Sequence, residues 1–194
     1  MRRIVVSQFV SVDGVIEDPG GAEGFDRGGW AFQFDRGPDG DKFKFEEVMA
    51  SGALLLGRVT YQAFAAAWPS RSGEFADKFN NMPKYVVSTT LEQGGWNNST
   101  VIKGNVAEEI SKLKQEPGEE ILVNGSAQLL RMLIDHDLVD EYRLMVFPTV
   151  LGSGKRLFGE SENAASLRLV DTKTVGPDGI VILTYHPATT EDTG

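Results

Sequence analysis

The sequence predicts an α/β fold on a mixed sheet, parallel through most of the domain with an antiparallel C-terminal hairpin. Two observations carry this. Short apolar runs alternate with helix-length amphipathic segments through the first two thirds of the chain, the pattern of strand–helix–strand units. Two more apolar runs, 168–175 and 180–186, then flank the turn-rich Gly176-Pro177-Asp178-Gly179.

Taken in order, residues 3–10 form a first strand, with Ile4, Val5, Val6 and Phe9 as its apolar positions. Residues 17–41 are rich in Gly, Asp and Pro and read as a long surface loop, with Trp30, Phe32 and Phe34 as anchors. A helix over 42–50 presents Phe45, Val48 and Met49. A strand over 53–56 precedes a helix over 58–67, whose Val59, Ala63, Phe64 and Ala67 share a face. A short helix within 70–81, a buried strand over 85–88 and a short strand over 99–103 follow. Asn105 with Glu108 is a capping signal for a helix that buries Val106, Ile110 and Leu113 and stops at Pro117-Gly118. Next come a strand at Ile121, Leu122 and Val123, an Asn124-Gly125 turn and a helix opened by Ser126. A long strand over 139–147 ends at Pro148. Residues 1–187 read as one domain, and 188–194 as a flexible tail.

Composition narrows the function. A chain of 194 residues with 41% hydrophobic and 24% charged residues fits one soluble domain with a sizeable core. A net charge of −9 argues against a nucleic-acid partner, and it means that an anionic ligand must be met by particular local cations. The absence of Cys excludes disulfides, thiol catalysis and thiolate metal sites. The two histidines, His136 and His186, stand too far apart for a metal motif, so no metal is expected. No apolar run reaches membrane-spanning length. The basic start lacks a cleavage pattern, so a cytoplasmic location without membrane association is expected.

The stretch over 119–134, EEILVNGSAQLLRMLI, carries the most chemistry. A strand feeding a helix through Gly and a small hydroxyl residue leaves free backbone N–H groups at the helix start. With the helix dipole, these suit an anion, typically phosphate. The same arrangement recurs over 53–61, where an apolar strand ends at Gly57 and Arg58 and Thr60 sit at the helix start. One such turn alone is commonly a packing device; the pair points to a pyrophosphate ligand. Gly125 lets the backbone approach a phosphate, and Ser126 can cap the helix or donate to it. Arg58 supplies a cation for the ligand, or else sits in a surface ion pair.

These segments, in their order, resemble a known family. SVDGVI (11–16), LLLGRVTYQAF (54–64), KYVVSTTL (84–91), ILVNGSAQLLRML (121–133) and DEYRLMVFPTVLGSGKRLF (140–158) look like the dihydrofolate-reductase-like superfamily. More closely, they resemble the C-terminal reductase domain of the bifunctional riboflavin-biosynthesis deaminase/reductase and its stand-alone bacterial relatives. The resemblance covers about residues 2–186. It implies a three-layer fold with helices on both sheet faces, an NADPH cofactor, a small-molecule substrate and a homodimer. Gly57, Arg58, Thr60 and Tyr61 would then face the cofactor phosphates, and Ser88 and Thr89 the adenosine or its 2′-phosphate. Val123, Asn124, Gly125, Ser126, Ala127 and Gln128 would wrap the pyrophosphate and the nicotinamide ribose. The activity implied is reduction of 5-amino-6-(5-phosphoribosylamino)uracil. Dihydrofolate reduction and non-catalytic dinucleotide binding are the alternatives. No segment resembles the zinc motif of the deaminase.

Hydride transfer also needs a proton source beside the reacting carbon. Asp13, after the first strand and before Gly14, is the catalytic candidate, with an Asx-type turn as its alternative. Gly14 and Trp30 are candidates for the substrate side, Trp30 either covering the substrate or packing. Glu46 and Glu47 lie on the helix where folate reductases carry a substrate-binding acid, but the local KFKFEEVM departs from that pattern and reads as a solvated face. The segment LGSGKR over 151–156 matches neither a P-loop nor GxGxxG. Its Lys155 and Arg156 could hold a substrate phosphate, or be solvated.

Overall fold

The computed structural model describes residues 1–159 and 165–188; apart from Ala188, the expected tail lies outside them. Eight strands form one sheet. They are β1 (Ile4–Ser11), β2 (Ser51–Gly57), β3 (Lys84–Val87), β4 (Ser99–Ile102), β5 (Glu120–Val123), β6 (Glu141–Phe147), β7 (Leu167–Val175) and β8 (Ile180–Pro187). Their order is β4-β3-β2-β5-β1-β6-β8-β7. Pairing is parallel from β4 to β6 and antiparallel where β8 meets β6 and β7, as the sequence predicts.

Among the described residues five α-helices flank the sheet: α1 (Gly37–Ala50), α2 (Arg58–Ala67), α3 (Glu74–Asn81), α4 (Val106–Gln115) and α5 (Ala127–Asp135). Strand alternation sorts the layers. Ile4, Val6, Ala53, Leu55, Ile121 and Val123 face one side and pack with Ile110 of α4 and Leu130 and Leu133 of α5. Val5, Leu54, Leu56 and Leu122 face the other, against Val48 of α1, Tyr61 of α2 and Phe79 of α3. A third cluster joins Met145, Phe147, Ile180 and Ile182 to Trp30 and Ala31, so the 17–36 loop is pinned to the antiparallel end.

The start of α1 differs from the sequence reading by more than the ends of the strands do. Helix α1 starts at Gly37, five residues earlier than expected, with Pro38 in its first turn. Gly-Pro-Asp-Gly reads locally as a turn, yet Pro is tolerated there because its missing N–H would be unpaired anyway. Helix α3 falls within the expected 70–81, starting at Glu74 after a turn at 68–71 closed by the Arg71 N–H on the Trp68 carbonyl.

Candidate active-site cleft

The two helix starts singled out in the sequence meet in space. The Gly57 N–H donates to the Gly125 carbonyl (3.2 Å). A Cβ on Gly57 would overlap the Ser126 hydroxyl, and one on Gly125, at φ +118°, would lie 2.7 Å from Thr60 Oγ1. Only glycines allow this approach. Neither Gly57 nor Ser126 caps its helix through a side chain, so the N-termini of α2 and α5 remain open side by side. The Gly125–Ser126 peptide bond is cis.

This junction opens into a cleft of about 980 Å³. Ser7, Gln8 and Phe9 of β1 form its floor, Thr60 and residues 124–128 one end, and α1, α2 and α3 its apolar wall. Asn124 ties the floor to the turn by donating from Nδ2 to the Ser7 carbonyl (3.2 Å). Asn124 lines the cleft, and its Oδ1 is buried with no hydrogen-bond partner among the described residues. A buried acceptor left unpaired is costly, and a ligand amide or hydroxyl would relieve it.

On the α1 side, Lys44 Nζ lies in the lining, donates to Ser7 Oγ (2.7 Å) and pairs with Glu47. Ser7 Oγ in turn donates to Glu47 Oε2 (2.9 Å). Glu47 Oε1 has no hydrogen-bond partner among the described residues and stands 3.7 Å from Arg143 Nη1. The solvated-face reading of Glu47 is therefore corrected, for its side chain is 1% exposed. Glu46 does face solvent, paired with Lys42 at 3.7 Å.

Sequence reasoning missed Ser7 and Lys44. The available signal was Ser7 itself, a polar residue on the face of β1 shared by Val5 and Phe9.

Of the expected cofactor residues, Thr60, Asn124, Gly125, Ser126, Ala127 and Gln128 line the cleft. Gly57 lies beneath them, and Val123 is fully buried in the core. Arg58 is exposed outside the lining and donates to Gln62 Oε1 (3.0 Å). Tyr61 turns inward: its hydroxyl donates to Ser99 Oγ (3.0 Å) and accepts from the Trp96 N–H (2.9 Å). Ser88 Oγ accepts from the Thr90 and Leu91 N–H groups, and neither Ser88 nor Thr89 reaches the cleft.

On the substrate side only Lys155 lines the cleft, and Glu17 holds it at 2.7 Å. Arg156 is turned away, its Nε on the Asp13 carbonyl (3.0 Å). Gly14, outside the lining, serves the turn at φ +82°. Trp30 is a core residue, 2% exposed, with its indole N–H on the Glu17 carbonyl, and so does not cover the cleft. Asp13 also stands outside the lining. Its carboxylate accepts from Ser11 Oγ (2.7 Å) and the Leu151 and Gly152 N–H groups (3.0 and 2.7 Å). The Ser11 hydroxyl first, then those amides, hold its pKa down to about 2. An acid so held is a poor proton donor near neutrality, and the geometry is that of a loop clasp.

The fold is dihydrofolate-reductase-like. The chain belongs to the RibD C-terminal domain family, whose model matches residues 2–181. It is 31% identical over 190 residues to the uncharacterized protein YyaP of Bacillus subtilis (strain 168), covering 95% of each chain. Among solved structures it resembles a protein named for riboflavin biosynthesis from Shewanella sp. PV-4, with TM-score 0.73, 26% identity and coverage of 96% of this chain and 99% of that one. Dihydrofolate reductase from Enterococcus faecalis, solved with NADP(H), shares the fold at TM-score 0.63 and 16% identity, over 96% of this chain and 97% of that one.

Proposed function

We propose that this protein is an NADPH-dependent reductase of a small heterocyclic substrate. Membership of the RibD C-terminal domain family and the resemblance of the sequence motifs to riboflavin-pathway reductases support this reading. The observation that carries the reading is the paired, uncapped starts of α2 and α5 at a cleft with an orphaned acceptor, Asn124 Oδ1. These residues fit the cofactor. The open N–H groups with Thr60 and Ser126 would take its phosphates, and Asn124 an amide or hydroxyl donor. When bound, NADPH supplies a hydride.

The chain's own part is to hold the two rings together, exclude water and move a proton. Phe9, Phe45 and Val48 make an apolar slot around the acceptor ring. Lys44 Nζ, oriented by Ser7 and Glu47 at the cleft floor, would hydrogen-bond the substrate heteroatom that gains a proton.

Titration of NADPH and NADH into the purified protein, by nicotinamide fluorescence and calorimetry, tests this. Preferential NADPH binding followed by oxidation with a pyrimidine, pterin or carbonyl compound is expected. No binding at millimolar concentration refutes it.

A further inference from the structure

The cleft has an apolar part beyond its polar floor. From the polar floor at Ser7 and Lys44 an arm runs between the helices, walled by Val48, Ala63, Phe64, Trp68, Phe75 and Phe79. Its aromatic rings pack on one another, with Trp68 and Phe75 stacked at 5.3 Å and Trp68 and Phe79 at 4.7 Å. The Arg71 guanidinium stands over Trp68, its Cζ 4.4 Å from the ring centre, and also lines the cleft.

The cations around the floor and mouth are already matched. Lys155 meets Glu17, whose second oxygen also accepts the Lys155 N–H (2.9 Å). Arg36 meets Asp41 (2.6 Å), Lys42 meets Glu46 (3.7 Å) and Lys44 meets Glu47. Glu23 adds a carboxylate at the same mouth, and burial first, then Asp18, raises its pKa, while the Asp18 carboxylate is itself buried and held by the Ala22, Glu23 and Phe25 N–H groups. A phosphate placed beside Lys155 would compete with Glu17 and face these acids.

We infer that the substrate is an uncharged planar heterocycle bearing an apolar substituent, the ring at Ser7 and Lys44 and the substituent in the arm of Phe64, Trp68 and Phe75, with no phosphate at the Lys155 mouth. This rests on the reductase reading and departs from the phosphorylated pyrimidine that the family suggests. Apolar surface leaving water would supply the affinity and the Lys44 end the orientation.

Two matched pairs of probes test it, titrated into the full chain with and without NADP⁺: pterin against 6-phenylpterin, and 5-amino-6-ribitylaminouracil against its 5′-phosphate. The phenyl group should tighten binding by about tenfold or more, and the phosphate should not tighten it. Phe75→Ala and, separately, the arm-filling Ala63→Trp should each abolish the phenyl gain with NADPH affinity unchanged. Glu17→Gln should free Lys155 and tighten the phosphate-bearing probe. Overturning results are a phosphate gain of about tenfold in the parent protein, no phenyl gain, or no binding of either ring. NADPH titration reads the cofactor claim separately, so the two can fail independently.

Discussion

Replacing Glu47 decides between the solvated face read from the sequence and the buried ion pair. Its side chain is 1% exposed, accepts from Ser7 Oγ at 2.9 Å and pairs with Lys44, whose side chain is 15% exposed. Glu47→Ala removes the carboxylate and leaves Lys44 charged in a largely dry setting. Breaking a buried pair from one side costs about 3–5 kcal/mol. The lower end applies, because Lys44 borders the cleft and Arg143 keeps Glu120 and Glu141 at 2.7 and 2.6 Å. A loss of about 3 kcal/mol lowers Tm by roughly 6–12 °C in a chain of this size. Glu47→Gln, which keeps an acceptor for Ser7, should lose less. Urea and thermal unfolding at pH 7 are the assays. A loss under about 1 kcal/mol for Glu47→Ala, the scale of an exposed helical residue, would refute the burial argument.

Ser126→Asp should place a negative charge at the joined helix starts and abolish NADPH binding while leaving the unfolding transition near that of the parent; unchanged affinity by calorimetry would discard the site. Asp13→Asn should weaken the clasp on Leu151 and Gly152 without changing NADPH affinity. Because the Asp13 pKa is lowered to about 2, the stability difference between parent and variant should be present above pH 4 and fade as pH falls through about 2, read by urea melts across that range. Lys84 is fully buried, and burial lowers its pKa to about 8. The unfolded chain therefore binds the proton more tightly between about pH 8 and 10.5, so stability should rise with pH across that window. Lys84→Met should flatten the rise, and a rise that persists in the variant would discard this account.

Much of the fold was legible because its signals are local. Apolar strands such as Leu54, Leu55 and Leu56, the Asn105 cap and the Gly176–Gly179 turn are specified within a few residues. The start of α1 was not, since Gly-Pro-Asp-Gly suits a turn and a first helical turn alike. At the site, residues 124–128 were legible because a strand, a glycine and a helix start are adjacent in sequence. Their join to Gly57 and Thr60 was not, for it depends on β2 and β5 lying side by side. Tyr61 illustrates the gap: on paper it stands beside Thr60, yet one step along a helix turns a side chain by about 100°, from cleft to core.

By itself, then, the sequence determined the alternation of strands and helices, the antiparallel end and the two open helix starts, all properties of short segments and their periodicity. Only the tertiary structure decided which ionisable groups are buried and who holds them. It sank Glu47 behind Ser7 and Lys44, spent Asp13 on a loop, set Glu17 against Lys155 and left Asn124 Oδ1 unpaired. The reason is physical: partners such as Ser7 and Glu47 lie 40 residues apart in the chain, and desolvation, which sets the energy of each charge, is a property of the packed whole.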